Sequence, residues 1–226
     1  MDHVRSIVSE GKSLRILNVG VGTGHTSELL SQFGTVTSIE YDEDCCAFVN
    51  EQTSLTVVQG SILELDFADD SFDAVCAFDV VEHVEEDALA VQELKRVCKQ
   101  AGKVVITVPA YMFLWSKHDE INHHFRRYTK SQVLALFKEQ GKFIYHSYYN
   151  TLLFPPVAIF RFLNNLLGLT KTTEEDTGSD FSVAGKDSWL TRLLCRVFYL
   201  ESFFVKRHIR LPFGVSVMVS WEKSKQ

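Results

Sequence analysis

The residues best suited to proton transfer lie in one short segment, from Trp115 to Tyr128. Its chemically active side chains are His118, Asp119, Glu120, His123, His124, Arg126 and Arg127. Histidine titrates near neutral pH, so His118 or His124 could take a proton from a substrate, and Asp119 could orient a ring. The arginine pair could bind a carboxylate or a phosphate on the substrate. In the alternative interpretation these residues only fix a loop by ion pairs, ahead of a helix that begins near Thr129.

A second group, Asp79-Val80-Val81-Glu82-His83, follows the fourth predicted strand. His83 is a further candidate base, and its structural alternative is that the Glu-His pair shapes the loop. Asp79, Glu82 and His83 could also bind Mg²⁺ or Mn²⁺ together with His124, because carboxylates and imidazoles are ligands for divalent metals. A bound cation would lower the pKa of a substrate hydroxyl. Of these two hypotheses, we favour a site that works without a metal.

A glycine-rich turn, Asn18-Val19-Gly20-Val21-Gly22-Thr23-Gly24, joins the first predicted strand to the first predicted helix. Glycine lets the backbone approach a ligand closely, and the following helix N-terminus favours an anion. Glu40, at the end of the second strand, could accept hydrogen bonds from ribose hydroxyls. A dinucleotide-binding turn requires a third glycine where this chain has His25. The spacing therefore favours S-adenosylmethionine over a nicotinamide cofactor.

Short apolar runs alternate with helix-length segments in the first half of the chain, which is typical of strands buried in a parallel sheet. The predicted strands are 14–19, 35–39, 55–59, 74–78 and 103–108, and the predicted helices are 26–32, 43–52 and 86–100. This repetition predicts an α/β fold with a doubly wound sheet. The second half predicts a helix over 131–140 closed by Gly141, a strand over 142–149, a helix over about 188–207 and a last, antiparallel strand over 214–221.

Four stretches carry a family resemblance: RILNVGVGTGHTSELL, SIEYD, VVQGSILELDFADDSFDAVCAFDVVEHV and AGKVVITVPA. They resemble the class I S-adenosylmethionine-dependent methyltransferases, in particular the small-molecule branch that includes ubiquinone and menaquinone biosynthesis enzymes. The resemblance covers residues 13 to about 150, and 214–221 matches the family's final strand. It implies a mostly parallel, seven-stranded Rossmann-like sheet, with S-adenosylmethionine as cofactor and S-adenosylhomocysteine as product.

The resemblance also implies roles for individual positions. The cofactor residues would be Gly20, Val21, Gly22 and Gly24 at the methionine end, Glu40 at the ribose, Tyr41 against the adenine, Ser61 and Ile62 at the adenine edge, and Asp79 and Val80 along the methionine. The family commonly has acids where this chain has Asn18 and Ser61. Both side chains can still hydrogen-bond, so we expect binding to survive. Some relatives, among them ubiquinone-pathway O-methyltransferases and small-RNA 2′-O-methyltransferases, have a similar acid-x-x-Glu-His arrangement.

We expect the cover over the substrate to come from the second half, because only thirteen residues precede the first predicted strand. Its candidates are 111–130 and a helical insertion over 152–210 that is rich in phenylalanine. The last helix of the insertion is basic at Arg192, Arg196, Lys206 and Arg207. This pattern predicts a pocket for an apolar acceptor or a surface that touches a membrane, with ordinary core packing as the alternative. The polar stretch 171–187 is a candidate mobile lid or disordered loop.

The chain has 226 residues, of which 46% are hydrophobic and 23% charged, and its net charge is −6. This fits a single soluble domain over 1–226, with a cofactor-binding half at 13–110, acceptor-side segments and the helical insertion at 111–213, and the final strand at 214–222. The acidic balance argues against nucleic acid as a partner. Five cysteines without CxxC spacing and a charged N-terminus predict free thiols and a cytoplasmic protein.

The sequence therefore predicts a class I methyltransferase that acts on a small molecule, anionic or hydrophobic, with O-methylation ahead of N- or C-methylation. One alternative is a catalytically silent scaffold domain that binds S-adenosylmethionine. Another is a methyltransferase that acts on a lipid-linked acceptor at the membrane surface. A nicotinamide dehydrogenase is disfavoured by His25. The sequence names neither the acceptor nor the oligomeric state.

Overall fold

The computed structural model describes residues 13–167 and 201–225, and within these ranges seven strands form one sheet. The strands are β1 (Leu14–Val19), β2 (Gly34–Glu40), β3 (Val57–Gln59), β4 (Phe72–Phe78), β5 (Cys98–Pro109), β6 (Gly141–Tyr149) and β7 (Ser216–Lys223). Their order across the sheet is β3-β2-β1-β4-β5-β7-β6. Strands β1 to β5 pair in parallel, whereas β7 is antiparallel to both of its neighbours. The predicted doubly wound α/β sheet with an antiparallel last strand is confirmed.

Six described helices connect or cover these strands. They are α1 (His25–Leu30), α2 (Glu43–Gln52), α3 (Asp87–Val97), α4 (Lys117–Ile121), α5 (Lys130–Leu136) and α6 (Phe154–Leu167). Residues 201–206 are also helical and are the described part of the helix predicted over 188–207. The rest of that helix and the predicted loop 171–187 lie outside the described residues. Of the helices that the structure describes, none has both the length and the apolar character needed to cross a membrane.

Two predicted boundaries were wrong. The helix predicted to end at residue 100 ends at Val97, because Cys98 instead pairs with Phe72 in the sheet and becomes the first residue of β5. The helix predicted over 131–140 ends at Leu136, since Glu139 and Gln140 adopt positive φ angles of 73° and 65°. Gly141 therefore opens β6 rather than closing a helix. A Cβ on Gly141 would lie 2.2 Å from Cζ2 of Trp221, so this close approach requires glycine.

The core lies on both faces of the sheet, because successive strand residues point to opposite sides. The larger cluster includes Leu94 of α3, Val133 of α5 and Trp221 of β7, each 0% exposed. The smaller cluster includes Ile16 of β1 and Leu30 of α1. Helices packed on both faces leave the ends of the strands as the accessible edges of the sheet. The carboxyl ends of β1 and β4 are neighbours whose chains continue in opposite directions across the sheet, which is where open α/β sheets bind ligands.

The far end of β7 is fixed by Lys223, whose Nζ donates hydrogen bonds to the carbonyl oxygens of Lys95 at 2.9 Å and Cys98 at 2.8 Å. Lys223→Met would leave these carbonyls without their donor, so we expect a loss of about 1–3 kcal/mol in the free energy of unfolding, measured by urea denaturation. Lys225→Met, two residues further on at an exposed position, is the matched control and should change it by less than about 0.5 kcal/mol. Equal effects of the two substitutions would contradict this role.

Candidate active site

The glycine turn adopts the left-handed backbone that its composition predicts. Gly20, Gly22 and Gly24 have φ angles of 76°, 52° and 88°, a region that disfavours side chains. A Cβ on Gly20 would lie 2.2 Å from Cγ2 of Val80, so the turn after β1 packs directly on the turn after β4. At Gly22, by contrast, a Cβ would meet nothing within 4 Å. The turn therefore combines one closely packed glycine with one that faces open space, where a ligand can approach the backbone.

Glu40 holds the glycine turn as well as facing the cleft. One carboxylate oxygen accepts hydrogen bonds from the N–H groups of Val21 at 2.8 Å and Gly22 at 3.0 Å. The other accepts from Tyr41 at 2.8 Å and Asp42 at 3.2 Å. Because a carboxylate offers about four acceptor positions, a ribose at this site would replace some of these bonds. The bracing of the turn by Glu40 is not visible in the sequence.

Beneath the turn, Asn18 belongs to a buried polar group. Its Nδ2 donates to Oγ of Ser27 at 2.8 Å, and Oγ of Ser38 donates to the same oxygen at 2.9 Å. The Oδ1 of Asn18 is buried and has no hydrogen-bond partner among the described residues. Buried acceptors are normally satisfied, so this oxygen can receive a donor from a ligand. The amino group of S-adenosylmethionine is such a donor, and the turn therefore fits this cofactor.

The predicted adenine-side residues differ in how far they are exposed. Tyr41 is 77% exposed beside the cleft, and its carbonyl accepts a hydrogen bond from Gln59 at 3.3 Å. Ile62 is 4% exposed and packs in the core, while Oγ of Ser61 accepts from the N–H of Leu63 at 3.1 Å. Tyr41 is thus available to cover an adenine, whereas the contacts predicted for Ser61 and Ile62 remain predictions.

Asp79 turns the chain at the end of β4 towards the acceptor side. Its φ of 54° is unusual for a residue with a side chain, and its N–H donates to both the carbonyl oxygen and Oγ1 of Thr107, at 2.9 and 3.1 Å. Burial raises the pKa of the Asp79 carboxyl, although a hydrogen bond with Thr107 acts in the opposite direction. Thr107 therefore fixes the position of Asp79 beside the cofactor cleft.

Tyr149, at the end of β6, reaches the same place and was missed by the sequence interpretation. Its side chain hydrogen-bonds with Ser216 and Thr107, and burial together with the charge of Asp79 raises its pKa. The phenol therefore stays protonated and acts as a hydrogen-bond donor. The sequence offers one indication, because Tyr149 is the last residue of a predicted strand. The position of that strand in the sheet, antiparallel beside β7, could not be read from the sequence.

The charged segment after β5 is organised around Asp119. This carboxylate is 0% exposed, and its Oδ1 accepts from Nε of Arg127 at 2.7 Å and lies 2.9 Å from Nδ1 of His124. Its Oδ2 accepts from the N–H of Ser116 at 2.9 Å and lies 4.0 Å from the guanidinium of Arg161. Burial alone would raise the pKa of Asp119, but the hydrogen bonds from His124 and Arg127 hold it below the ordinary value. Asp119 is therefore a buried, charged anchor.

The two arginines of the segment are engaged within the protein. Arg127 is 5% exposed and bound to Asp119, and Arg126 pairs with Asp87 at 3.0 Å and donates to the carbonyl of Glu85 at 2.7 Å. Arg161 of α6, not among the predicted site residues, donates to the carbonyl of Leu114. These arginines have the structural role that the loop-fixing alternative predicts, and binding of an anionic substrate by them has no support in these contacts.

The three histidines predicted as bases, His83, His118 and His124, lie close together. Their hydrogen-bond partners differ. The rings of His83 and His124 meet edge to face with centroids 4.5 Å apart, and those of His118 and His124 are 6.2 Å apart. Burial and the neighbouring His124 lower the pKa of His83, so its neutral form is favoured. With Nδ1 directed at Asp119, His124 keeps Nε2 as its acceptor nitrogen. His124 has the orientation of a base, whereas His118 is tied to Asn122 through contacts of 3.3 and 3.4 Å.

The buried carboxylate of Glu82 lies next to His83 and His124. It is 0% exposed, and neither carboxylate oxygen has a hydrogen-bond partner among the described residues. Burial and the charge of Asp79 raise its pKa well above the ordinary value. Ligand atoms of Glu82, His83 and His124 all lie within 4.8 Å of one another. Three of the four predicted metal ligands therefore converge in a donor set that fits a divalent cation, and Asp79 is not part of that group.

Known proteins are similar to the first half of this chain. Residues 17–106 match the family described as a methyltransferase domain. A phosphatidylethanolamine N-methyltransferase of Cereibacter sphaeroides is 37% identical over 99 residues, which cover 41% of this chain and 49% of that protein. A demethylmenaquinone methyltransferase of Staphylococcus aureus is 33% identical over 102 residues, or 42% of each chain. The chain spans about half the length of the first curated relatives that it matches.

The fold has close counterparts among solved structures. The YcgJ protein of Bacillus subtilis superimposes with a TM-score of 0.61 at 17% identity, covering 100% of this chain and 99% of that one. The sheet order, the glycine turn and the matched domain are thus similar to those of class I S-adenosylmethionine-dependent methyltransferases, which include quinone-biosynthesis enzymes. S-adenosylmethionine is the cofactor of this class, as the sequence predicts.

The substitution Asp119→Asn tests whether the buried carboxylate of Asp119 stabilises the fold. Breaking a buried ion pair leaves Arg127 without its counter-ion, so we expect a loss of about 3–5 kcal/mol in unfolding free energy at pH 7, measured by urea denaturation. Since the pKa of Asp119 is lowered in the folded state, its contribution is present above the unfolded pKa of about 4 and is lost as the pH falls below it. The wild type should thus lose more stability than the variant between about pH 4 and pH 2. Parallel pH profiles would contradict this role.

Proposed function

We propose that the protein transfers a methyl group from S-adenosylmethionine to a hydroxyl of a small molecule held at the carboxyl edge of β4 and β5, with His124 as the base. The observation that carries this proposal is the Asp119–His124 pair. At 2.9 Å from Asp119, Nδ1 is fixed as the donor, so Nε2 is left to accept the proton of the substrate. The ring of His83 lies 4.5 Å from that of His124, and Tyr149 interacts with Asp79 at the end of β4.

The cofactor, when bound, supplies a methyl group already activated on a sulfonium, so the protein has to align the acceptor and exclude water. In the proposed arrangement Gly20 and Gly22 admit the methionine end to the backbone, and Asn18 accepts from its amino group. Glu40 holds the ribose and Tyr41 covers the adenine. Asp79 and Val80 border the methionine, and the protonated hydroxyl of Tyr149 donates a hydrogen bond towards the acceptor oxygen.

The acceptor that we propose has a hydroxyl on an apolar body. A histidine base is useful for a hydroxyl, which must lose its proton as it becomes nucleophilic, and this supports O-methylation ahead of N- or C-methylation. The relatives are named for phosphatidylethanolamine and demethylmenaquinone, two molecules with long apolar tails, which supports a hydrophobic acceptor. Exposed Met112, Phe113 and Phe125 flank the histidine cluster and offer apolar contacts for such a body.

A metal-assisted reaction is the alternative at the same residues. Glu82, His83 and His124 would hold the cation, which would lower the pKa of the acceptor hydroxyl. In that case Nε2 of His124 is a ligand and cannot also accept the proton. We favour the metal-free reaction because burial and the charge of Asp79 raise the pKa of Glu82, which disfavours the carboxylate form that would hold the cation.

Cofactor binding is tested by calorimetric titration with S-adenosylhomocysteine. We expect a clear binding signal with the wild type, none with NAD, and at least about a tenfold weaker dissociation constant for Gly20→Ala, whose methyl group would collide with Val80. Gly22→Ala is the matched comparison, since its methyl group meets no protein atom within 4 Å and only the positive φ is strained. Heat with NAD and none with S-adenosylhomocysteine would overturn the proposal.

The base is tested with methyl-labelled S-adenosylmethionine and an organic-solvent extract of cells. We expect label in the extracted products, and His124→Asn should lower the rate by about 10²–10⁴-fold while leaving S-adenosylhomocysteine binding intact. His123→Asn is the matched control, because His123 is exposed and asparagine tolerates its φ of 55°. Loss of activity on chelation, restored by Mn²⁺ or Mg²⁺, would favour the metal alternative. Binding without transfer to any extract would favour a silent scaffold.

A further inference from the structure

Helix α6 reverses the usual arrangement of a surface helix. Its only charged residue, Arg161, is 7% exposed and points inward, donating to the carbonyl of Leu114 near Asp119. Among residues 154–163, whose exposure the structure describes, the exposed positions are apolar: Ile159 is 60%, Phe162 67% and Leu163 45% exposed. A helix on the surface of a soluble protein normally buries its apolar face and exposes its charges. The outer face of α6 therefore presents apolar side chains where charges are expected.

A second exposed segment combines apolar and basic residues. Phe203, Phe204, Ile209 and Phe213 are exposed large apolar residues, and Lys206, Arg207 and Arg210 are exposed between them. The guanidinium of Arg207 lies 4.1 Å from the centroid of the Phe203 ring. No acidic residue occurs between residues 202 and 221, although the chain as a whole carries a net charge of −6. This segment is thus locally positive on an acidic protein.

The two features adjoin. Just before α6, the N–H of Thr151 donates to Glu201 at 3.0 Å, and its hydroxyl donates to the carbonyl of Phe213 at 2.5 Å. The ring of Phe154, in the first turn of α6, lies 5.4 Å from that of Phe213. We call the exposed side chains of both features the apolar-basic surface. Its members are Ile159, Phe162, Leu163, Phe203, Phe204, Lys206, Arg207, Ile209, Arg210 and Phe213.

This surface lies at the edge of the sheet where the acceptor must enter. The ring of Phe154 is 5.7 Å from that of Tyr111, which follows directly on β5. The N–H of Tyr111 donates to the carbonyl of Tyr128 at 2.9 Å, at the end of the segment that carries the histidine cluster. Phe154 and Tyr111 therefore link the apolar-basic surface to the end of the segment that carries the histidine cluster.

We propose that the apolar-basic surface docks the protein on the surface of an anionic lipid bilayer. Aromatic and aliphatic side chains enter the headgroup boundary, while lysine and arginine keep their charges at the phosphates above it. Each basic residue near an anionic bilayer contributes attraction that salt screens. In this arrangement the described 14 residues of α6 lie along the interface, with Ile159, Phe162 and Leu163 towards the lipid.

Charge complementarity distinguishes a bilayer from a second copy of the chain. In a symmetric dimer through this surface, each copy would present the same patch to the other. Arg207 and Arg210 would then face the like charges of their counterparts across the interface. An anionic bilayer supplies the opposite charge over the whole surface. The inference goes beyond the proposed function, because docking requires neither cofactor nor methyl transfer.

Vesicle flotation of the full chain tests the proposal. We expect the wild type to float with phosphatidylcholine–phosphatidylglycerol vesicles at low salt, to float far less with phosphatidylcholine alone, and to be released at about 0.5 M salt. The paired substitutions Ile159→Ser/Phe162→Ser and Arg207→Glu/Arg210→Glu should each lower the partition coefficient by at least about tenfold.

Matched controls separate the surface from general effects of charge or hydrophobicity. Lys138→Glu/Lys225→Glu makes the same charge change at exposed positions, and Phe48→Ser/Val58→Ser removes exposed apolar side chains elsewhere. Both should float like the wild type. Circular dichroism and S-adenosylhomocysteine binding show whether each variant is folded, and they report on the proposed function separately from docking.

Three results would overturn the proposal. The first is a folded wild type that stays in the soluble fraction with anionic vesicles, including one that forms a dimer which the surface substitutions dissociate. The second is flotation of the surface variants equal to that of the wild type. The third is equal binding to neutral and anionic vesicles, which would remove the role of the basic residues.

Discussion

The acceptor half of the protein depends on the buried carboxylate of Asp119. A fully buried charge is costly unless it is paired, and here two parts of the chain, the segment after β5 and helix α6, provide its partners. Ser116 and His124 come from the segment after β5, Arg127 from its end, and Arg161 from α6. The same ion pairs that hold the segment against α6 also fix one ring nitrogen of His124. Stability and orientation of the candidate base therefore come from one interaction.

The cofactor half uses the same principle with a partly exposed carboxylate. Glu40 accepts four backbone N–H groups and so shapes the glycine turn before any ligand is present. Beside it, Asn18 retains a buried acceptor, and Gly20 lets the turn pack against Val80. The two halves meet at Asp79, which Thr107 positions between them. Polar groups held by the backbone thus organise both sides of the cleft, and the sheet sets their spacing.

The outer face of α6 is apolar where it is described, and Arg161, the charged residue of this helix, points inward. Asp119 and the carbonyl of Leu114 hold the one charged side chain of α6 in the interior, while Ile159, Phe162 and Leu163 of the same helix are exposed. The helix that anchors the active-site segment thereby also contributes to the lipid-docking surface that we propose. If the acceptor is apolar, as proposed, it is concentrated in the bilayer, and the docked protein would meet it there.

Local signals were enough for most strands and for the left-handed glycine turn, because buried apolar runs and glycines act within a few positions of the chain. The boundaries that failed, at Val97 and Leu136, depend on pairing with Phe72 and on close packing against Trp221. Tyr149, Thr107 and Arg161 reach the site through contacts far along the chain, and no spacing in the sequence encodes those. The sequence determined which chemistry is present, and the tertiary structure decided which side chains are paired, buried and oriented, since burial and charge pairing are properties of the assembled fold.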